Sequence, residues 1–309
     1  MATTIHTNSA YQCSSVQCVC CGHLLADRVE NCPICETPAS LSRTVVSRGN
    51  GQHFISVLGA SNAGKTVYLG LLLDILSKGP ESFRGMATSS FSVDLQQQVI
   101  SALEHRRFPE KTATEADTWK WLHCQLSMAE RTKTHHIDLI SPDFAGEAIA
   151  QEIQQAGLYP AIGHIVSQSI GILVLCDSIR VRDEGSEEDL FAMKLASYIA
   201  QQHGCGGVSS KKGKQPAMMG PAIAVVFTKC DGCPEALEDA DRFAANNTPR
   251  LYEFCRRTFS EHAFFSASVA GSAGVITDEQ GYQSSVPFHV QPQGVIEPLQ
   301  WIVTGKKRT

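Results

Sequence analysis

One glycine-rich segment, residues 59–66, constrains the fold more than any other part of the sequence. Its sequence is Gly-Ala-Ser-Asn-Ala-Gly-Lys-Thr. An apolar run at 54–58 with the length of a buried strand leads into it, and a leucine-rich helical pattern follows at 64–77. A strand, a tight glycine turn and a helix in this order predict the first unit of an α/β domain.

This segment, called the phosphate loop below, has the features needed to hold a triphosphate. Its backbone N–H groups can converge on phosphate oxygens, and the start of the following helix adds its positive dipole end. Lys65 is predicted to reach the β- and γ-phosphates and the Thr66 hydroxyl to bind Mg²⁺. The residues predicted to cradle the phosphates are Gly59, Ser61, Asn62, Ala63, Gly64, Lys65 and Thr66.

The chain beyond the phosphate loop alternates strand-like and helix-like segments, which predicts an α/β fold with a mainly parallel sheet. The predicted strands are 54–58, 121–128, 135–140, 170–176, 222–227 and 263–265. The predicted helices are 64–77, 93–106, 147–155, 188–202, 249–258 and 294–303, with Pro298 tolerable only in the first turn of the last. Residues 204–220 and 277–287 are polar and predict exposed loops.

Two short segments at the ends of predicted strands favour guanine over adenine. The first contains Thr228, Lys229 and Asp231, and the second is Ser266-Ala267-Ser268. Guanine presents adjacent N1–H and N2–H₂ donors, for which the carboxylate of Asp231 is a matched acceptor. Lys229 would lie against the base, and a backbone N–H near Ala267 would meet its O6 oxygen.

Together these motifs resemble a Ras-like GTPase domain of the translation-factor-related (TRAFAC) class over residues 53–303. The resemblance implies a three-layer sandwich, assigned here to residues 50–309, in which the [NT]KxD motif recognises guanine. Asp143-Phe144-Ala145-Gly146-Glu147 resembles the DxxG switch of that class, which implies that Asp143 holds Mg²⁺ through water and that the Gly146 N–H senses the γ-phosphate. Asp138, inside an apolar strand, is the competing candidate for the acid that holds Mg²⁺.

The resemblance implies hydrolysis of GTP to GDP and phosphate, with catalytic roles for Lys65, Thr112, Gly146 and Glu147. The first switch has no fixed motif; Thr112 is chosen for it and Thr114 is the alternative. Many Ras-like enzymes have Gln where this chain has Glu147, and a carboxylate close to the γ-phosphate is electrostatically unfavourable. A non-hydrolysing scaffold that binds GTP or GDP is therefore the alternative function, whereas Asp231 disfavours an ATP-using enzyme.

Asn62 occupies a position of the phosphate loop that resembles the potassium-stimulated branch of the same class. There the Asn side chain helps to hold a monovalent cation beside the phosphates, where it offsets developing negative charge. The resemblance implies K⁺ as an additional cofactor. The other interpretation is a loop Asn whose side chain bonds to its own backbone.

The segment 1–45 holds six of the twelve cysteines, between Cys13 and Cys35. Two Cys-x-x-Cys pairs, ten residues apart, can supply four thiolates to a tetrahedral Zn²⁺. This arrangement resembles a zinc ribbon and predicts a protein-docking or structural module folded by its metal. The predicted ligands are Cys18, Cys21, Cys32 and Cys35, with Cys13, Cys20 and His23 as spare candidates.

Charge and hydropathy limit the classes of partner. A formal net charge of -5 argues against a protein that coats nucleic acid. No apolar run reaches the roughly 20 residues that span a bilayer, and crowded cysteines without a secretory segment predict a cytoplasmic protein. The partner expected at the switches and the zinc ribbon is a protein effector or regulator. A zinc ribbon fused to such a GTPase is also similar to bacterial double-GTPase families proposed for conflict or defence systems.

Overall fold

The computed structural model describes residues 16–48, 54–109, 120–130, 133–205, 220–269, 272–277 and 283–305. Thr112, Thr114, Cys13 and most of the predicted loop at 204–220 lie outside these residues. The strands are β1 Val16–Gln17, β2 Leu24–Leu25, β3 Phe54–Gly59, β4 Phe83–Ala87, β5 Trp121–Glu130, β6 Lys133–Pro142, β7 Ser169–Asp177, β8 Ala222–Thr228, β9 His262–Ser266, β10 Ser272–Thr277 and β11 Gln283–His289. The helices are α1 Ala39–Ser47, α2 Lys65–Ser77, α3 Ser90–Glu104, α4 Gly146–Gln154, α5 Pro160–Gln168, α6 Ser178–Glu184, α7 Ser186–Gln202, α8 Pro234–Glu238, α9 Ala240–Asn247, α10 Pro249–Thr258 and α11 Glu297–Thr304.

Residues 16–48, called the cysteine module below, form a small unit of two short strands and one helix. Strands β1 and β2 pair antiparallel, Val16 with Leu25 and Gln17 with Leu24. Helix α1 follows the second cysteine pair and buries Leu41 and Val45. The module therefore has few apolar residues of its own to hold it together.

After this module come a seven-stranded sheet, in the order β4-β5-β6-β3-β7-β8-β9, and a separate two-stranded sheet of β10 and β11. Strands β6, β3, β7, β8 and β9 run parallel to one another, whereas β4 and β5 pair antiparallel at one edge. Because the carboxyl ends of parallel strands share one edge of the sheet, the segments after β3, β7 and β8 converge there.

Helices cover both faces of this sheet. Side chains alternate along β3: Phe54 and Leu58 belong to one apolar cluster, Ile55 and Val57 to the other. The first cluster includes α7 and reaches into the cysteine module, and the second includes α2 and α11. The predicted fold class, a mainly parallel α/β sandwich with a small cysteine-rich N-terminal unit, is confirmed.

The structure also differs from the predicted elements. Residues 277–287 were expected to form an exposed loop, but Thr277 belongs to β10 and residues 283–287 to β11, and these two strands pair antiparallel; residues 278–282 lie outside the described residues. Strand β4 and helices α5, α6, α8 and α9 had no sequence prediction. Helix α11 begins at Glu297, so that Pro298 lies in its first turn, where a missing N–H is tolerated.

Candidate functional site

A cavity of about 570 Å³ lies at the carboxyl ends of the central strands. The phosphate loop forms one wall, and the segments after α3, β6, β7, β8 and β9 contribute to the others. The residues that line it are Ala60, Ser61, Asn62, Ala63, Gly64, Lys65, Thr66, Val67, Tyr68, Phe108, Pro109, Phe144, Ala145, Gly146, Glu147, Asp177, Ile179, Arg180, Thr228, Lys229, Asp231 and Val269. Gly59, at the end of β3, leads into the cavity without lining it.

The phosphate loop is tightly wound and tied to the neighbouring strands. Gly64 has φ +75° and Asn62 has φ +65°, left-handed conformations that glycine and asparagine adopt more readily than most residues. The Thr228 hydroxyl donates to the carbonyls of Ala63, at 2.9 Å, and Cys176, at 3.2 Å. Thr228, the last residue of β8, therefore ties the phosphate loop and β7 to β8 through bonds from its hydroxyl to their backbone carbonyls.

Lys65 is the buried cation of the site, with 8% of its surface exposed. Burial lowers its pKa to about 8, and the negative charges of Asp143 and Glu147 partly oppose this shift. A buried ammonium needs negative charge close to it, and phosphate oxygens would supply that charge. The environment of Lys65 suits a phosphate-binding lysine.

Two oxygen-containing side chains that could bind Mg²⁺ lie together beside this lysine. The Thr66 hydroxyl donates to Asp143 Oδ1 at 3.5 Å, and the Asp143 amide donates to the Lys120 carbonyl at 2.9 Å. A hydroxyl and a carboxylate fit the all-oxygen coordination of Mg²⁺.

The competing acid, Asp138, lies elsewhere on β6 and does not line the cavity. It contacts His123 Nε2 at 2.6 Å and Arg48 Nη1 at 3.2 Å. Because Arg48 follows α1, this contact joins the cysteine module to the sheet.

Gly146 and Glu147, the first two residues of α4, lie directly against the phosphate loop. A Cβ on Gly146 would overlap the backbone of Ala60 and Ser61, so only glycine fits at this approach. The Ser61 hydroxyl donates to Glu147 Oε1 at 2.5 Å. The segment predicted to sense the γ-phosphate therefore touches the loop predicted to bind it.

The opposite end of the cavity carries the charges of the predicted base site. Lys229, with φ +58°, places its ammonium 2.6 Å from Asp177 Oδ2. Burial raises the pKa of Asp231, and hydrogen bonds and Lys229 partly oppose the shift. The Ser268 hydroxyl donates to Asp231 Oδ1 at 3.4 Å.

Ser266 and Ala267 do not line the cavity. The Ala267 amide donates to the Phe227 carbonyl at 2.7 Å, and the Ser266 hydroxyl donates to the Ala236 carbonyl. In the structure both groups fix β9 and its neighbours, and Val269 is the residue of this segment that reaches the cavity wall. The contact of an amide near Ala267 with guanine O6 stays a prediction.

Sequence reasoning assigned no role to several residues of the cavity wall, among them Phe108, Asp177 and Arg180. Asp177 could have been found, since it follows a predicted buried strand whose carboxyl end had to reach the same edge. Its Oδ1 accepts the amides of Ile179 and Arg180, and its Oδ2 holds Lys229. Arg180 is paired with Glu188 at 2.6 Å, a contact across two helices that no local pattern reveals.

A second site lies in the cysteine module. The thiols of Cys18, Cys21, Cys32 and Cys35 all lie within 4.8 Å of one another. The hydrogen bond between Cys18 and Cys35 lowers the pKa of Cys18 and raises that of Cys35, as expected when one thiol donates to its neighbour. Four converging thiols fit a tetrahedral metal such as Zn²⁺. Cys20 is buried beside them without belonging to this set.

Two further observations concern the described cysteines and helices. Each described cysteine is a free thiol. None of the described helices combines the length and apolar character required to cross a membrane.

Comparison with solved structures finds nucleotide-binding proteins. The chain is similar to Methanosarcina barkeri Roco2 RocCORdC bound to GDP, with 15% identity over 71% of this chain and 44% of that one, and a TM-score of 0.30. It is similar to the signal recognition particle receptor SRb-GTP/SRX complex from Chaetomium thermophilum, with 13% identity over 72% and 93% of the chains and a TM-score of 0.36. It is also similar to the S. cerevisiae Ski7 GTPase-like domain bound to GDP and inorganic phosphate, with 15% identity over 86% and 52% and a TM-score of 0.41.

The match spans less than half of the Roco2 chain. No curated protein matches the sequence. The model of one protein family, Double-GTPase 1, matches residues 56–256, which is more than half of the chain and contains the phosphate loop, the Asp143 segment and Asp231. The chain therefore belongs to the Double-GTPase 1 family.

Proposed function

We propose that the protein binds GTP with Mg²⁺ and hydrolyses it to GDP and phosphate, as a switch whose surface depends on the bound nucleotide. The observation that carries this proposal is one cavity with a buried lysine at one end and a carboxylate at the other. Lys65 suits the phosphates, and Asp231 suits the paired N–H donors of guanine. A triphosphate nucleotide has both groups in one molecule.

The proposed roles follow from these positions. The phosphate-loop amides and Lys65 bind the β- and γ-phosphates, while Thr66 and Asp143 hold Mg²⁺, which neutralises charge on the phosphates when bound. Gly146, whose backbone lies on the loop, senses the γ-phosphate. Thr112 is proposed to complete the first switch. Thr228 couples the phosphate and base ends, and Lys229 and Asp231 contact guanine. Ser266 and Ala267 complete the base site through a backbone N–H that meets guanine O6.

Competition between GTP and ATP tests the base assignment. We expect GTP with Mg²⁺ to bind on the order of 100-fold more tightly than ATP, since adenine leaves the Asp231 carboxylate without its two donors. Asp231→Asn should weaken GTP binding and relax the preference for guanine over xanthine. Asp239→Asn is the matched control, because Asp239 also accepts a backbone amide but does not line the cavity. Equal binding of ATP and GTP would exclude the proposal.

A non-hydrolysing GTP- or GDP-binding scaffold is the second candidate function. The contact between Glu147 and Ser61 favours it, because a carboxylate occupies the position where many Ras-like enzymes place the Gln that orients water. Single-turnover hydrolysis of GTP separates the two functions. Release of phosphate within one turnover supports the switch enzyme, and binding without release supports the scaffold.

Asn62 is proposed to help hold K⁺ beside the phosphates. The left-handed backbone of Asn62 and its place on the cavity wall support this assignment. Hydrolysis should then be faster in K⁺ than in Na⁺, and Asn62→Ala should remove the difference. Asn62→Gly also removes the side chain but allows the left-handed backbone. It should therefore remove the difference as well, which would exclude loop strain as the cause. Equal rates in both salts would exclude the role.

The N-terminal domain, proposed to extend over residues 1–45 and to include the four cysteines of the cysteine module, is assigned as a Zn²⁺ site and a docking surface for a protein effector or regulator. Free thiols suit a cytoplasmic location, which we also propose. The similarity to double-GTPase families extends the proposal to a bacterial defence or conflict system. A phage challenge of cells carrying the wild type or Lys65→Met tests that role: equal protection would argue against a nucleotide-dependent one.

A further inference from the structure

Glu147 contacts the phosphate loop in a way that bears on which guanine nucleotide the site prefers. Its carboxylate accepts the Ser61 hydroxyl at 2.5 Å, although the two residues lie 86 positions apart. The side chain is exposed to the cavity and lines it together with Ser61, Lys65 and Gly146. A full negative charge therefore stands on the wall that receives phosphates.

Helix α4 fixes the backbone of Glu147 in this place. Gly146 has no room for a side chain against the phosphate loop, and Ala148 and Ile149 are buried in the core below. The backbone cannot withdraw from the loop without moving the helix. Only a rotation of the Glu147 side chain, with loss of the bond to Ser61, can remove the carboxylate.

The charge acts on the group that would bind the terminal phosphate. Lys65 and Glu147 line the same cavity, and the phosphate loop that carries Lys65 is bonded to Glu147 through Ser61. GTP differs from GDP by one phosphate and its negative charge, and that phosphate would lie beside Lys65 and the start of α4. Like charges repel more strongly in a partly desolvated cavity than in water.

We propose that Glu147 is a specificity-determining residue that biases the site toward the diphosphate, because its carboxylate competes with the γ-phosphate for the Ser61 and Lys65 side of the cavity. This inference rests on the proposed guanine-nucleotide function. GDP can bind with the Glu147–Ser61 contact intact, whereas GTP must displace the carboxylate. The contact therefore changes the ratio of the affinities for GDP and GTP and does not change recognition of the guanine base.

The test compares dissociation constants for GDP and a non-hydrolysable GTP analogue, both with Mg²⁺, on the full chain. Glu147→Gln removes the charge with almost no change in shape, and the affinity for the analogue should rise about tenfold relative to that for GDP. Ser61→Ala releases the carboxylate without removing its charge and should shift the same ratio in the same direction by a smaller factor, about threefold. This second variant tests the idea even if Glu147→Gln folds poorly.

Glu187→Gln is the matched control. Glu187 is the exposed second residue of α7, as Glu147 is of α4, and it does not line the cavity. Its ratio of affinities should equal that of the wild type. An unchanged ratio in both Glu147→Gln and Ser61→Ala, with guanine nucleotides still bound, would overturn this inference alone. A wild-type protein that binds neither guanine nucleotide would overturn the proposed function as well.

Discussion

The cysteine module and the seven-stranded sheet with its helices, called the sheet domain below, bury their interiors with different chemistry. In the module the most buried side chains include thiols, and Cys18, Cys32 and Cys35 are each 1% exposed. In the sheet domain every residue of β3 and β8 is buried, between helices on both faces. We therefore expect the stability of the module to depend on a metal held by its four clustered thiols, whereas that of the sheet depends on apolar area distributed over many side chains.

The two regions are joined as well as different. Val19, Leu25, Leu41 and Val45 belong to the same apolar cluster as one face of the sheet, and Arg48 pairs with Asp138. From this difference we expect that removal of a metal from the four cysteines would unfold the module and leave the sheet folded. Because α1 shares this apolar cluster with the sheet, we expect any effect of metal loss on the sheet to be transmitted through α1.

Metal removal should give the largest effect and separate the regions most clearly. Structural Zn²⁺ contributes about 10–16 kcal/mol of apparent binding free energy near neutral pH, so that a strong chelator should unfold residues 16–38. Hydrogen exchange should show lost protection there and retained protection in β3 and β8. Cys32→Ser should lower the bound zinc, whereas Cys205→Ser, outside the cluster, should not. Retained protection of 16–38 after chelation would contradict the comparison.

A core truncation should produce the opposite pattern. Leu72 is fully buried in α2, and Leu72→Ala should lower the free energy of unfolding by about 3 kcal/mol through lost burial and a residual cavity. Urea denaturation measures the loss, and zinc content should remain unchanged. Leu190→Ala is the control, since Leu190 is 39% exposed and its truncation should cost less than about 0.5 kcal/mol. Equal losses would show that packing around α2 does not hold the sheet.

Lys65→Met tests whether the nucleotide site belongs to the sheet domain alone. Loss of the charged hydrogen bonds to phosphate should weaken binding of GTP on the order of 100-fold. Equilibrium titration with labelled nucleotide measures the affinity, and the bound zinc should stay at the wild-type level. Unchanged affinity would remove Lys65 from the site, and a loss of zinc would show that the regions are not separable.

Arg48→Ala should give the smallest effect and probe the junction. Asp138 keeps its bond to His123, so the variant should lose about 1 kcal/mol of stability. The exchange of amides in 16–38 should accelerate more than that of amides in β3. Arg43→Ala controls for changes to α1, because the Arg43 guanidinium bonds to carbonyls within the module. If both variants behave alike, the pair with Asp138 has no special role.

Much of the fold was predictable because its signals are local. The predicted strand at 222–227 and the helix at 249–258 agree with β8 and α10 within one residue, since both are dense apolar or helical patterns between clear breaks. Strand β4 was missed because its five residues include Arg84 and Gly85 and show no clear alternation of apolar and polar side chains in the sequence. The pair of β10 and β11 was missed because the polar stretch at 277–287 resembles a loop, and only the pairing of the two strands defines it.

The candidate site also combines features set by local sequence with contacts set by the tertiary structure. The sequence alone determined the glycine turn of the phosphate loop and the paired cysteines, and it predicts the base motif, because each is made by residues a few positions apart whose backbone conformation is local. Only the tertiary structure decided that Glu147 bonds to Ser61, that Asp177 holds Lys229 and that Arg48 reaches Asp138. These contacts join residues 52 to 90 positions apart. They exist because parallel strands bring their carboxyl ends to one edge and because the sheet gives helix α1 an apolar face, and no local pattern encodes either distance.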